Sequence, residues 1–133
     1  MTSSNVRHNP AELAPPTQNL YSHAVEVPEG CRTLHVAGQI GVRPDGTIAD
    51  TLEEQVEQLM KNFEAILASA KMNFADVVKI NAYCLTAADI ITYAGLRNRY
   101  FNGKPPATTA VVVAGLALPQ WKIEADLVAA KRG

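Results

Sequence analysis

The chain has 133 residues, 47% hydrophobic and 19% charged, a balance that fits one soluble globular domain and excludes a disordered or collagen-like chain. Lys and Arg total 12 against 13 Asp and Glu, a net charge of -1, so no basic excess gathers phosphates and no nucleic-acid partner is expected. No apolar run approaches the roughly 20 residues of a membrane span, and the polar residues 1–5 lead into no apolar signal core, so the expected setting is cytoplasmic with no membrane partner.

Residues 1–18 hold Pro10, Pro15 and Pro16 and few large apolar side chains. They read as a flexible tail, followed by one folded domain over 19–133. Residues 24–27 read as a strand, Pro28-Glu29-Gly30 as a turn, and residues 32–40 as a second strand, the two forming a hairpin. Pro44-Asp45-Gly46-Thr47 is a further turn. Thr51 with Glu54 three residues on reads as a capping box. Behind it Leu52, Val56, Leu59, Met60, Phe63, Ile66, Leu67 and Ala70 make one apolar helical stripe, with Asn62 off it and facing solvent.

Residues 77–85 are β-branched and apolar and read as a strand. Residues 87–101 read as a second helix with its stripe through Ile90, Tyr93, Leu96 and Tyr100, and Arg97 at the edge. Asn102-Gly103 ends it and Pro105-Pro106 prevents continuation. Residues 107–114 and 121–130 read as the last strands, with a turn at Leu118-Pro119. The order β-β-α-β-α-β-β predicts an α+β fold, with two helices on one face of a mixed sheet. Neither face of the 107–114 strand carries a charge. Two helices cover one face, so the other is expected to pack against further copies of the chain.

Residue chemistry singles out few positions. Glu124 and Asp126 share one strand face, about 7 Å apart along the strand. In a dry cleft such a pair supplies a general acid or base; on a wet face it pairs with Lys122. Tyr21 and His23 share a strand face, and a His there can move a proton near neutrality. His8 and His35 have no nameable partner, and three scattered His make no metal site. Arg43, Arg97 and Arg99 read as solvated charge. Cys31 and Cys84 have no ligand or redox spacing, and Cys84 ends an apolar strand face as a buried, inert thiol. Gly38 and Gly115 sit where backbone can approach closely. No Gly-rich phosphate loop is present.

Taken in order, Tyr21-Ser22-His23-Ala24-Val25, Ala37-Gly38-Gln39-Ile40-Gly41, the helix led by Gln55 and carrying Asn62, Asp76-Val77-Val78-Lys79, Pro106-Ala107-Thr108 and Lys122-Ile123-Glu124 resemble the RidA/YjgF family, formerly called the L-PSP endoribonuclease family. The resemblance covers about residues 20–131. It implies a chorismate-mutase-like fold and a homotrimer whose sheets form a central barrel, with a small-molecule cleft at each subunit interface. It also implies hydrolysis of reactive enamines and imines to 2-keto acids and ammonia, without a cofactor or metal.

In that family an Arg after Pro-Ala grips the substrate carboxylate, a Glu on the last strand positions water, and a Tyr near the start of the fold lines the cleft. Tyr21 and Glu124 match, and Gly38 lies in the matching Gly-Gln-Ile segment. The Arg position is Thr108, and His23 stands where the family often has Gln. A hydroxyl offers one neutral hydrogen bond, worth about 0.5–1.5 kcal/mol net, in place of a charged bidentate clamp. The resemblance therefore implies Glu124 as the catalytic residue, with Tyr21, Thr108, Gly38 and His23 as substrate-binding candidates. The expected function is a RidA-like hydrolase of altered specificity, or else a non-catalytic trimer that binds a metabolite or a protein. Arg43, Arg97 or Arg99 from a neighbouring chain is a candidate replacement cation. RNA cleavage, suggested by the older family name, has no base–acid His pair to perform it.

Overall fold

The computed structural model describes residues 3–133. The elements are β1 (Val6–His8), β2 (Ala24–Glu26), β3 (Cys31–Gln39), α1 (Leu52–Ser69), β4 (Val77–Cys84), α2 (Ala87–Asn98), β5 (Ala107–Val112) and β6 (Ile123–Arg132). The predicted order is present, with one strand added at the front.

That added strand, Val6–His8, lies within the stretch 1–18 read as a tail, of which residues 1–2 are outside the described residues. β1 pairs antiparallel with β2, Arg7 opposite Val25. Asn5 is buried, and its Nδ2 donates to Ala130 O at 3.0 Å and Asp76 O at 3.4 Å. Arg7 donates to the carbonyls of Lys104 and Pro105. Short polar side chains that find buried carbonyls hold this segment, a signal that hydrophobic patterning does not register.

The predicted hairpin between β2 and β3 does not form. The main sheet has the order β3-β6-β4-β5, and β1-β2 stand apart from it. Ser22 bridges to Ala107 at the β5 edge, where Ser22 N donates to Pro106 O at 3.0 Å. β3 lies at the opposite edge. The chain must cross the end of the sheet between these two anchors, so it cannot fold back on itself. β4 and β5 run parallel, and the other two pairings are antiparallel, so the sheet is mixed.

Both helices pack on one face, α1 over β3 and β6 and α2 over β4 and β5. Val56, Leu59, Met60, Phe63 and Leu67 of α1 meet Ile80, Ala82, Cys84, Ile123, Ala125, Leu127 and Ala129 of the sheet in one buried cluster. Each large side chain so buried contributes about 1.5–3 kcal/mol. Thr51 Oγ1 accepts from Glu54 N at 3.1 Å, but the Glu54 carboxylate turns to Arg43, 3.7 Å away, instead of back to the cap. The reciprocal box lies at Asn73, whose side chain accepts from Ala75 N while Asp76 Oδ2 accepts from Asn73 N at 2.9 Å. α2 tightens into a 3-10 turn over Arg99–Phe101, and Asn102 and Gly103, both with positive φ, end it.

Two polar side chains of α1 reach across to the loops. Gln55 is buried; its Nε2 donates to Ala49 O at 2.9 Å and Gln120 O at 3.0 Å, and its Oε1 accepts from Lys122 N at 2.9 Å. Asn62, expected in solvent, is half-buried and donates to the carbonyls of Ile40 and Val42. The end of β3 and the start of β6 are thus fixed to the same helix.

The second sheet face is more polar than the β5 pattern suggested. Val111 is 42% exposed on it. The middle of that face, however, carries Lys79, Asn81 and Tyr83 of β4 opposite Val128, Asp126 and Glu124 of β6.

Replacing Asn5 by Ala removes two buried donor contacts and is expected to cost about 1–3 kcal/mol in urea unfolding. A loose tail would give no change.

Candidate functional site

Two strands at one edge of the sheet bring Glu124 and Gly38 together. β3 and β6 pair with an irregularity between Val36 and Gln39, and Gly38 lies within it. A Cβ built on Gly38 would stand 2.2 Å from Glu124 Oε2. Gly38 therefore leaves the space that the Glu124 carboxyl occupies. Glu124 is half-buried, and its carboxylate has no hydrogen-bond partner among the described residues. Gly41, three residues on, has a different reason: a Cβ there would meet the Gln55 backbone at 2.5 Å.

Asp126, on the same face as Glu124, is not left open. Tyr83 Oη donates to Asp126 Oδ2 at 2.9 Å, and Asn81 Nδ2 donates to Asp126 Oδ1 at 2.9 Å. The Asp126 bond pushes the Tyr83 hydroxyl above its ordinary value, with smaller contributions from burial and from Glu124. Lys122 forms no ion pair with either carboxylate and is exposed. One carboxylate of the pair is occupied in structure and the other is available.

The opposite edge carries the second group. Tyr21 and His23 meet edge to face, ring centroids 5.4 Å apart at 86°. His23 N donates to Asn9 Oδ1 at 2.8 Å, and its Nε2 lies 2.8 Å from Ala14 O. A carbonyl only accepts, so Nε2 carries the proton, and Nδ1 is the acceptor of the neutral ring. Thr108 pairs with Ile80 and so faces the helices, the opposite face from Glu124. Its Oγ1 is buried without a partner.

One chain does not assemble the five predicted residues. β4 separates β5 from β6, which puts Thr108 about 10 Å across the sheet from Glu124 and about 10 Å along it. The cavity between the helices, about 350 Å³, is lined by Glu53, Val56, Glu57, Leu96, Arg99 and Tyr100 and contains none of the five.

The Endoribonuclease L-PSP family profile matches residues 11–131. The chain belongs to this family, the RidA/YjgF family. Protein DfrA of Myxococcus xanthus is 33% identical over 90% of this chain and 91% of its own length. The 2-iminobutanoate/2-iminopropanoate deaminase of Rattus norvegicus is 35% identical over 87% of this chain and 83% of its own. Among solved structures, the Rid-family protein YyfB of Yersinia pestis superposes with a TM-score of 0.86 at 30% identity, covering 94% of this chain and 97% of that one. The mixed sheet with two helices is therefore the RidA/YjgF fold.

Against that family, the three candidate cations separate. Arg43 lies near the surface, bonded to Thr47 Oγ1 at 3.1 Å and paired with Glu54. Arg99 is exposed at the cavity between the helices. Arg97 overturns the expectation of solvated charge: it is 1% exposed. Its guanidinium lies 5.4 Å from the Tyr93 ring centroid and 6.0 Å from that of Phe101, and Nη2 donates to Leu20 O. A guanidinium so enclosed within its own chain is not available to a neighbour's cleft. The helical pattern missed it because an arginine breaks an apolar stripe, whereas here its long stem and planar head stack on rings as a core residue.

Gly115, expected at a close approach, faces open space. Gln55, which appeared only in the resemblance, and Asn62, which was also read as facing solvent, prove to hold the loops on either side of Glu124 and Gly38. A polar residue next to the apolar stripe of α1 was the only sequence signal for them. No group of three or more His, Cys, Asp or Glu among the described residues is arranged to hold a metal ion.

Cys84 is fully buried, and burial pushes its thiol up to about 11. At pH 8 only about one Cys84 in a thousand is thiolate. Iodoacetamide at pH 8 is expected to label half-buried Cys31 first, with Cys84 reacting only after denaturation; mass spectrometry of the native protein checks this. Gly38→Ala and Gly41→Ala form a second test. Gly38→Ala meets the flexible end of Glu124 and should leave stability within about 1 kcal/mol, because the side chain moves aside. Gly41→Ala meets backbone and should cost about 1–3 kcal/mol or more. Thermal unfolding of the two variants separates them.

Proposed function

We propose that this chain is a cofactor-independent hydrolase of small imines or enamines. It acts in a cleft formed between copies, with Glu124 and Gly38 from one copy and Tyr21, His23 and Thr108 from its neighbour. The observation that carries the reading is Glu124: a half-buried carboxylate with no partner, lodged against a glycine, while its neighbour Asp126 is held by Tyr83 and Asn81. The deaminase relatives add support at family level.

The chemistry needs little beyond a placed carboxylate. Glu124 accepts a hydrogen bond from water, which attacks the imine carbon. The C–O bond forms as the C=N π pair moves to nitrogen, and the nitrogen takes up a proton. Collapse of the tetrahedral carbinolamine releases ammonia and leaves the carbonyl product. General-base assistance of this kind typically supplies 10²–10⁴-fold. Tyr21 and His23 line the opposite wall. The two groups sit at opposite edges of one sheet, so side-by-side packing of three copies, a homotrimer closing its sheets into a barrel, brings unlike edges together. This packing also covers exposed Val111. No helix among the described residues is long and apolar enough to cross a membrane, and a reducing cytoplasm suits two free cysteines.

Thr108 supports the second reading, a non-catalytic trimer that binds a metabolite or a protein. Its buried hydroxyl lacks a partner and cannot clamp a carboxylate as Arg does, so the substrate on the first reading is uncharged or larger than a small 2-imino acid.

The test generates 2-iminopropionate and larger imines with an amino-acid oxidase and follows their loss against semicarbazide trapping. Thr108→Arg is expected to exceed the unmodified protein at least tenfold on 2-iminopropionate. Adding Glu124→Gln to Thr108→Arg should remove about 100-fold or more of that activity. Activity that survives Glu124→Gln sinks the role of Glu124. No activity in any form, on any imine, moves the binding reading ahead.

A further inference from the structure

We propose that Arg97 and Asn98, at the end of α2, form a clamp that sets the position of Tyr21. The inference rests on the reading that Tyr21 lines the site. Its own evidence is the run-up to that residue. Gln18 and Asn19 both have left-handed backbone, φ 50° and 54°; asparagine adopts this conformation readily, but glutamine rarely does so unless its surroundings enforce it. The enforcement comes from α2. Asn98 Nδ2 donates to Asn19 O at 3.0 Å, and Arg97 Nη2 donates to Leu20 O. Asn19 Nδ2 in turn donates to Gly103 O at 3.0 Å, beyond the helix end. On the far side of Tyr21, Ser22 Oγ donates to Pro105 O at 2.6 Å and Ser22 N to Pro106 O. Tyr21 is therefore pinned by its backbone on both sides, while its ring stays half-buried against His23.

Arg97 is an unusual choice for a packing residue. It is buried and has no carboxylate partner among the described residues; its Nε and the Tyr93 hydroxyl beside it are enclosed with no well-aligned hydrogen bond. Buried ionic groups replaced by apolar ones of similar shape often leave stability unchanged or raised, so stacking on Tyr93 and Phe101 alone does not call for an arginine here. Its reach is what an apolar residue lacks: a donor delivered to the Leu20 carbonyl. Burial lowers the affinity of Arg97 for its proton, and the Tyr93 hydroxyl beside it partly offsets this. The side chain is in contact with no carboxylate whose titration would release it, so the clamp is built to hold and not to switch.

The experiment compares Arg97→Met, Arg97→Lys and Asn98→Ala with the unmodified chain, by amide hydrogen exchange and by the nuclear Overhauser contact between the Tyr21 and His23 rings. Arg97→Met is expected to speed exchange at the Leu20 and Ser22 amides at least tenfold and to weaken the ring contact. Exchange in β4 and β6 and the unfolding midpoint should stay the same or rise in protection. Arg97→Lys should fall between. Asn98→Ala, made at a half-buried position, should loosen the same residues without risk to the core. Unchanged exchange at residues 19–22 in all three variants overturns the proposal. So does an equal loss of protection across β4 and β6, which marks Arg97 as ordinary core. Imine turnover, where present, adds a separate readout: KM should rise in Arg97→Met with kcat within about threefold. Loosened exchange with unchanged KM leaves the clamp standing and removes Tyr21 from the site.

Discussion

Three backbone groups from two loops converge on the carboxamide of Gln55. Without that side chain, the buried Ala49 O and the part-buried Gln120 O and Lys122 N would be left to find other partners. Gln55 thereby fixes where β6 begins, and the start of β6 fixes Glu124 two residues later. Asn62, two turns along α1, does the same for the carbonyls after β3. Gly41 lies directly against the Gln55 backbone. Both walls of the Glu124–Gly38 contact are thus referenced to one rigid helix, whose apolar stripe anchors it to the sheet. A site placed on loops gains precision when its loops hang from a helix in this way.

The sheet order decides how that site is used. β6 enters between β3 and β4, so the last strand of the chain lies beside the third and fourth. Glu124 and Gly38 end up near one edge, Tyr21 and His23 beyond the other. The chain thus carries two groups of different chemistry at opposite edges: the open carboxylate of Glu124 on one side, and the Tyr21–His23 ring pair on the other. Thr108, on the edge strand β5, is neutral and faces the helices, the side of the sheet opposite Glu124.

The open sheet face reinforces the division. Asp126 is bracketed by Tyr83 and Asn81, so a carboxylate on a face with exposed Val111 at its margin is satisfied within its own chain. Glu124, opposite Tyr83 in register, is not. Two carboxylates two residues apart on one strand are distinguished by which donors their cross-strand neighbours carry, an effect of pairing and not of spacing.

From β2 onward the sequence by itself determined the elements and their order. The stripe of α1, the β-branched run of β4, the Asn102-Gly103 stop and the alternation through Glu124 are local signals, written within a turn or a few residues. That Glu124 and Gly38 belong to one site came only from the resemblance, and that they touch came only from the fold. Tertiary structure alone decided that β2 pairs with β1 and not β3, that Asn5 is buried, that Asp126 is occupied, and that Arg97 is core. Each depends on partners separated by many residues: Asn5 on Ala130, Asp126 on Tyr83, Arg97 on Leu20. Periodicity reports which face of an element is apolar. It carries no information on which distant carbonyl or carboxylate will meet a polar side chain, because that is fixed only when the strands take their places in the sheet.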